Sequence, residues 1–167
     1  VPTLPEDVRE RWGDLAQAIA PGLSEPPQLD LVLREPEGTA EWAERLGGIS
    51  LASGHIRLPR GSAVESLEGF RDGAWWVQDL AASLPAQLLG RGEGRRVLDL
   101  CAAPGGKTLQ LAAAGWKVTA LDISKRRLER LQDNLKRTSL EADVVAADAL
   151  TWEPEAPFDA ILLDAPC

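Results

Sequence analysis

The feature that most constrains the fold of this 167-residue chain is a regular alternation of strand-like and helical segments after Gly94. Strands are predicted at residues 97–100, 117–121, 142–146 and 158–163, and helices at residues 107–114 and 125–137. The last strand is almost continuously apolar, as a strand buried on both faces requires. Repeated strand–helix–strand units with short connections favour parallel pairing. The sequence therefore predicts an α/β protein with a parallel, doubly wound sheet.

The residues before this sheet have a different texture. Residues 1–27 are rich in proline and acidic residues and contain one predicted helix, over 7–20, so we interpret them as a helical lead-in or linker. Residues 28–73 run in the order strand, helix, strand, strand, helix, which predicts a small α+β subdomain. Residues 74–167 then form the predicted sheet domain, and Asp79 is placed to cap its first helix.

A loop of small residues follows the first predicted parallel strand, in the run Asp99-Leu100-Cys101-Ala102-Ala103-Pro104-Gly105-Gly106-Lys107-Thr108. Small residues ahead of a helix expose backbone N–H groups and let a ligand approach closely. A phosphate-binding loop needs glycine where Cys101 stands, and the Gly-x-Gly-x-x-Gly spacing of a dinucleotide loop is absent. The methyltransferase loop fits better, because an acid there leads into small residues at alternate positions, here Cys101, Ala103 and Gly105.

Single carboxylates follow the next three predicted strands, at Asp122, Asp148 and Asp164. Ligands of open parallel sheets bind beyond the carboxyl ends of the strands, so we expect these acids at one edge. Asp122 is placed to accept ribose hydroxyls, and Asp148 to accept an adenine amino group. Alternatively, Asp122 caps the next helix and Asp148 is an ordinary loop acid. Three carboxylates suit a cationic sulfonium cofactor and would repel a triphosphate unless a metal bound it.

Bulk composition excludes several classes of protein. No apolar run reaches the roughly 18 residues that span a bilayer, and the polar, acidic start is not a signal peptide. The chain has two cysteines, Cys101 and Cys167, without a Cys-x-x-Cys pair, and one histidine. These are too few for a disulfide framework or a classical zinc site. We therefore expect a cytoplasmic protein with no metal and no membrane association.

Charge and chain ends add two further expectations. The net charge of −8 argues against a generic nucleic-acid clamp, and we interpret the basic cluster of Lys125, Arg126, Arg127 and Arg130 as a solvated helix face. The chain contains no methionine and stops directly after a predicted strand, at Cys167. We therefore expect it to be a segment of a longer protein.

The loop at residues 98–108, together with Asp164-Ala165-Pro166-Cys167, resembles the Fmu/Sun (Nop/Sun) family of RNA 5-methylcytosine methyltransferases. Within that family the likeness is closest to the bacterial enzymes that act on small-subunit ribosomal RNA. Four upstream stretches are similar to the family's small N-terminal subdomain: Leu46-Gly47-Gly48, Arg57-Leu58, Gly69-Phe70 and Trp76-Val77-Gln78-Asp79. The resemblance covers roughly residues 28–167.

This resemblance implies a Rossmann-like class I methyltransferase sheet, incomplete at its C-terminus, that uses S-adenosylmethionine. The implied reaction methylates carbon 5 of cytosine in RNA, with small-subunit (16S) rRNA as the substrate. The implied cofactor-binding residues are Cys101, Ala102, Ala103, Pro104, Gly105, Gly106 and Lys107 around the methionine part, Asp122 at the ribose, Asp148 at the adenine and Asp164 near the methyl donor. The oligomeric state stays open.

The predicted catalytic residues are Asp164 and Cys167. Carbon 5 of cytosine is a poor nucleophile, so a thiolate must first add to carbon 6, and Asp164 is our candidate for protonating ring nitrogen 3. On chemistry alone, Cys167 could be that thiolate or a small apolar filler. The resemblance favours a role in product release, because the family's attacking cysteine lies in a Thr-Cys-Ser-like motif that this sequence does not contain. The target base must be flipped out or unpaired.

Three other functions fit parts of the sequence. Another Rossmann-type RNA or DNA methyltransferase, acting on an amino group, would carry an aromatic residue where Cys167 stands. A phosphate-loop nucleotide hydrolase is disfavoured by Cys101 and the three carboxylates. A non-catalytic RNA-binding module, or a cofactor-binding segment without turnover, also fits a sequence that lacks the second cysteine.

Overall fold

The computed structural model describes residues 4–23 and 27–165. Two helices come first, α1 (Glu6–Trp12) and α2 (Asp14–Leu23). The prediction of one helix over 7–20 is therefore wrong. Gly13 separates the two helices, with a φ of 50° that glycine adopts at little cost.

A small antiparallel sheet follows, in the strand order β2-β3-β1-β4. Its elements are β1 (Leu29–Leu33), α3 (Thr39–Arg45), β2 (Ile49–Ala52), β3 (His55–Leu58) and β4 (Trp75–Val77). Its core contains fully buried Leu31, Ile56 and Trp75. Because β4 pairs with β1, the small sheet continues past residue 73, where we predicted that the subdomain ends.

The second sheet is parallel throughout and has the strand order β7-β6-β5-β8. Its elements are α4 (Leu80–Leu88), β5 (Arg96–Leu100), α5 (Gly106–Ala113), β6 (Lys117–Asp122), α6 (Lys125–Thr138), β7 (Asp143–Ala146) and β8 (Ala160–Leu163). The predicted α/β class is confirmed. Within the described residues, no helix has both the length and the apolar character needed to cross a bilayer.

The order of the strands reverses at β5. From β5 the chain moves outward through β6 to β7, and it then returns to add β8 on the other side of β5. Leu100 pairs with both Leu121 and Leu163, so the three neighbouring strands end at about the same level. Such a reversal creates a crevice beyond the carboxyl ends of the strands, where ligands of this fold class bind.

Helices α5 and α6 cover the same face of the parallel sheet. Val118 and Ala120 lie two residues apart in β6 and so point to the same face. Val118 packs in a cluster with Leu111 of α5, while Ala120 packs with Leu128 of α6. On the opposite face, Ile161 and Leu163 of β8 are 60% and 63% exposed. Helices α5 and α6 of the predicted doubly wound arrangement therefore lie on the same side of the sheet, and β8 is exposed on the other.

Apolar packing joins the two sheets into one body. Val32 of β1 and Trp76 of β4 share a buried cluster with Leu128, Leu131 and Leu135 of α6. These leucines form the apolar stripe expected of an amphipathic helix. The small sheet is therefore fixed against the same helix that covers the parallel sheet.

Arginine side chains add polar contacts across this junction. Arg34 donates to Thr138 O at 3.0 Å, and Arg137 donates to Phe70 O at 2.7 Å and to Trp75 O at 3.0 Å. The fit is close at Gly73, because a Cβ atom there would lie 2.0 Å from Arg137 O. The orientation of α6 relative to the small sheet is thus set by backbone contact as well as by side chains.

Candidate active site

The small-residue loop lies at the reversal point of the parallel sheet, between the end of β5 and the start of α5. Cys101 has a φ of 60° and Gly105 a φ of 109°, so the chain turns sharply at both ends of the loop. The Ala102 N–H donates to Leu121 O at 3.1 Å, which ties the loop to the end of β6. The predicted cofactor loop therefore has a defined shape at the place where the fold class binds ligands.

Glycine is required at the helix end of this loop. A Cβ on Gly105 would lie 2.8 Å from Leu131 Cγ, and the φ of 109° is itself unfavourable for other residues. A Cβ on Gly106 would lie 3.2 Å from Gln78 Cδ. The loop thus packs against α6 on one side and against the end of the small sheet on the other.

The start of α5 lacks a side-chain cap. Its N-cap residue is Gly105, and no side chain accepts a hydrogen bond from the first turn. The first N–H groups of a helix have no partner within the helix, and the helix dipole makes this end attractive to anions. A carboxylate on a ligand is the kind of group that these donors would receive.

Asp122 is buried beside the loop at the end of β6, with 2% of its surface exposed. Its Oδ2 accepts the Ala103 N–H at 3.2 Å, and its Oδ1 accepts the Ser124 N–H at 2.9 Å. The Arg127 guanidinium lies 3.3 Å from Oδ2. Because Ser124 itself caps α6, the alternative of Asp122 as the helix cap does not describe its position. The carboxylate instead links the small-residue loop to β6.

Asp164 lies at the end of β8 and contacts the loop through Lys107. The Lys107 Nζ lies 2.6 Å from Asp164 Oδ2, and the aspartate side chain is 59% exposed while the lysine side chain is 14% exposed. The ion pair joins the first turn of α5 to the end of β8. The structure therefore brings together two of the residues that the sequence singled out, in reach of solvent.

Asp99 forms the floor of the site at 1% exposure. Thr108 Oγ1 donates to Asp99 Oδ2 at 2.6 Å. Burial raises the pKa of Asp99 from 3.8 to about 6, against the lowering effect of the Thr108 hydrogen bond and of the Lys107 charge. The negative charges of Asp164 and Asp122 add to the rise. The sequence indicated Asp99 as the acid that leads into the loop, but it did not indicate that the pKa of this residue is raised.

Asp148 follows β7 and is exposed. Its Oδ1 accepts the Leu150 N–H at 2.9 Å, so the side chain stabilises its own turn. The end of β7 nevertheless lies beside Asp122, since Ala146 pairs with Asp122 and the Ala147 N–H donates to Asp122 O. The adenine contact of Asp148 stays a prediction.

The two cysteines stand differently in the structure. Cys101 is half-buried at the left-handed turn that opens the loop, where a small side chain fits. Cys167, our second catalytic candidate, and Pro166 lie outside the described residues. No group of three or more potential metal ligands occurs within the described ranges.

Two contributors to the site were missed from the sequence. Gln78 is 7% exposed, packs against Gly106 and donates to Gln110 Oε1 at 2.6 Å. Arg127 donates to Ala103 O and pairs with Asp122, although we had placed it on a solvated face. Its spacing of five residues from Asp122 was the available signal. For Gln78 no local pattern existed, because its contacts come from the packing of the small sheet.

Sheet order, loop and carboxylates together define a Rossmann-like domain of the methyltransferase class. The family described as 16S rRNA methyltransferase RsmB/F matches residues 86–167. Over these residues the chain is similar to this family, which confirms the resemblance to the Fmu/Sun group.

Curated relatives extend the likeness over nearly the whole chain. It is 39% identical over 170 residues to ribosomal RNA small subunit methyltransferase B of Cronobacter sakazakii, covering 93% of the chain and 39% of the relative. The corresponding protein of Pseudomonas syringae pv. tomato is 37% identical over 178 residues, covering 98% of the chain and 40% of the relative. The chain thus spans about two fifths of the length of these relatives.

A solved structure supports the fold independently of these alignments. The methyltransferase homolog protein from Pyrococcus horikoshii superimposes with a TM-score of 0.76 at 26% identity, covering 93% of this chain and 56% of that one. Since the match includes the small sheet as well as the parallel sheet, the arrangement of the two is shared with that protein.

Proposed function

We propose that this chain is the cofactor-binding part of an S-adenosylmethionine-dependent methyltransferase that modifies carbon 5 of cytosine in small-subunit (16S) rRNA. The observation that carries the proposal is the glycine-lined loop fastened to buried Asp122 at the reversal point of the sheet. Similarity to the RsmB/F family supports the reaction, and the name shared by the curated relatives supports the substrate.

The site fits the three chemical parts of the cofactor. Asp122 offers carboxylate oxygens to ribose hydroxyls, as acids at this position do in related sheets. The uncapped start of α5 offers N–H groups to the carboxylate of the methionine part. Asp99, Asp122 and Asp164 surround the loop with the negative charge that suits the ammonium and sulfonium groups. Asp148 is our proposed partner for the adenine amino group.

The cofactor supplies an electrophilic methyl group, and the chain's own residues prepare the base. We assign Asp164 to protonate ring nitrogen 3 of the cytosine while a thiolate adds to carbon 6. Lys107 is within hydrogen-bond distance of Asp164 and so holds that carboxylate at the crevice. Cys167 follows Asp164 by three residues, and we keep it as the thiol that assists product release.

An RNA substrate sets further requirements. The target base must leave its stack to reach a crevice at a strand edge, which favours unpaired loops over regular duplex. The net charge of −8 argues against a generic, charge-driven RNA clamp within these residues. Ribosomal RNA as the substrate places the proposed activity in the cytoplasm.

Calorimetric titration of the purified chain tests the cofactor assignment. We expect heat with S-adenosylmethionine and with S-adenosylhomocysteine, and none with ATP. Asp122→Asn should weaken both by about thirtyfold, because two charge-assisted hydrogen bonds become neutral ones. Asp143→Asn removes an exposed acid of β7 and is the matched control. Binding of ATP without binding of either methionine cofactor would overturn the proposal.

A transfer assay with 16S rRNA tests the reaction. The 167-residue chain contains no Thr-Cys-Ser motif, so we expect binding without turnover. Methylation of cytosine carbon 5 by this chain would instead identify Cys167 as the attacking thiol. In that case Cys167→Ser would abolish turnover and Cys101→Ala would retain it, since Cys101 is a loop residue.

A further inference from the structure

Three residues close a ring of contacts at the mouth of the loop. The Ala103 N–H donates to Asp122 Oδ2 at 3.2 Å, the Arg127 guanidinium lies 3.3 Å from the same oxygen, and Arg127 Nη2 donates to Ala103 O. Both backbone groups of Ala103 are thus engaged, one by β6 and one by α6. We propose that Arg127 is a positioning residue that sets cofactor affinity by holding the Ala103 peptide and the Asp122 carboxylate in one arrangement.

The location of Arg127 in α6 is unfavourable for the helix alone. Ser124 is the N-cap, so Arg127 occupies the third helical position, and the first turn contains no acidic residue. That position commonly carries glutamate or glutamine, which closes a capping box, and cations near a helix start oppose the helix dipole. Arg127 therefore adds nothing to α6 by its position, and its contacts lie with the loop and with Asp122.

The chemistry of the contact requires a guanidinium. Arg127 reaches two acceptors, a backbone carbonyl and a carboxylate, with different nitrogen atoms. The planar fork of arginine presents such donors in fixed geometry, whereas lysine is a single point charge. Arg127 also lies between Asp122 and the solvent, since the arginine side chain is 45% exposed while that of Asp122 is 2% exposed.

Without the contacts of Arg127 with Ala103 and Asp122, the conformation of the loop would be less restricted. Gly105 against Leu131 and the Ala102 bond to Leu121 O would remain, but the Ala103 carbonyl would lose the partner that the structure gives it. A cofactor that contacts both Asp122 and the start of α5 would then have to order the loop that lies between these two groups. Ordering a segment on binding reduces affinity.

The test compares Arg127→Gln with Arg126→Gln, which removes the same charge from the neighbouring exposed position. This inference rests on the proposed cofactor, so titrations use S-adenosylmethionine and S-adenosylhomocysteine. We expect Arg127→Gln to weaken both about tenfold, Arg127→Lys to recover part of the loss, and Arg126→Gln to bind as the wild-type chain does.

Amide hydrogen exchange of the cofactor-free chain gives a readout independent of binding. The Ala102 and Ala103 amides should exchange faster in Arg127→Gln, with the thermal midpoint of the chain unchanged. Unchanged affinity in Arg127→Gln, or an affinity loss matched by a general loss of stability, overturns the inference while the cofactor assignment stands. If the wild-type chain binds neither compound, the cofactor assignment fails, and with it the claim that Arg127 sets cofactor affinity. If amide exchange at Ala102 and Ala103 were also unchanged in Arg127→Gln, the claim that Arg127 positions Ala103 would fail as well.

Discussion

Asp30 of the small sheet and Asp99 of the parallel sheet are both buried almost completely, and these two carboxylates behave in opposite ways. In the small sheet, Asp30 is 3% exposed and accepts two hydrogen bonds from Arg57, at 2.7 and 2.8 Å. This contact holds the pKa of Asp30 below its ordinary value despite burial. In the parallel sheet, Asp99 is 1% exposed and has Thr108 as its hydrogen-bond donor, and burial raises its pKa to about 6.

The difference lies in the charges around each group. Asp30 faces a guanidinium, so its negative charge is compensated inside the fold. Asp99 has Lys107 nearby but also Asp122 and Asp164, because the carboxyl ends of three parallel strands collect acids at one edge. A fold that assembles a binding crevice in this way places one carboxyl where its protonation changes near neutral pH. The lowered pKa thus belongs to a carboxylate that stabilises the fold, and the raised pKa belongs to one that lies at the candidate site.

The largest effect should come from breaking the compensated pair. Arg57→Met keeps much of the side-chain volume and leaves Asp30 buried without its cation. We expect a loss of about 3 kcal/mol in the free energy of unfolding, measured by urea denaturation, because a buried charge without a partner is costly. The Leu80 N–H, which donates to Asp30 at 3.3 Å, offsets only a small part.

The matched control for this variant is Arg45→Met. The Arg45 side chain is 39% exposed, close to the 34% of Arg57, but its partners Glu41 and Glu68 are themselves exposed. Exposed ion pairs contribute about 1 kcal/mol or less. Equal losses for the two variants would show that burial of Asp30 does not matter.

A smaller effect, a gain in the free energy of unfolding, is expected when the charge of Asp99 is removed. Between pH 3.8 and about 6 the folded chain keeps a proton on Asp99 that the unfolded chain releases, so the contribution of Asp99 to stability falls as pH rises through this range. Asp99→Asn removes this dependence and keeps an acceptor for Thr108. We expect the variant to be about 2 kcal/mol more stable than wild type at pH 8 and equal to it at pH 4.

Urea denaturation at a series of pH values measures this difference. Asp143→Asn, which removes an exposed carboxylate of β7, should keep the slope between pH 4 and pH 6. A wild-type chain whose stability declines relative to Asp99→Asn by no measurable amount in that range would contradict the raised pKa of Asp99.

The fold could be predicted where the pattern was local. Alternating strands and helices after Gly94 indicated the parallel sheet, and the acids after successive strands indicated its binding edge, because one topological rule places them there. The three leucines of α6 indicated its packed face, because apolar residues at helical spacing lie on one side of a helix. The N-terminal helix was predicted as a single element because its apolar residues recur at helical spacing up to Pro21, whereas the structure breaks at Gly13 and continues through the proline.

The parts that could not be predicted depend on contacts between distant residues. Arg57 and Asp30 meet through strand pairing between β1 and β3, and neither residue stands in a motif for the other. Gln78 meets Gly106 only because the small sheet packs on the start of α5. Raised pKa values share this property, since burial and the approach of other charges are products of the whole fold.

The smallest effect concerns the hydrogen bond that partly compensates Asp99. Thr108→Val keeps the shape of the side chain and removes the hydroxyl that lies 2.6 Å from the carboxylate. A bond to an ionised acceptor is stronger than one to a neutral acceptor, so we expect a loss of about 1 kcal/mol at pH 8 and less at pH 4. Thr119→Val, at a buried threonine of β6, controls for the exchange of hydroxyl for methyl. If Thr108→Val cost as much at pH 4 as at pH 8, the hydroxyl would be stabilising packing and not the ionised form of Asp99.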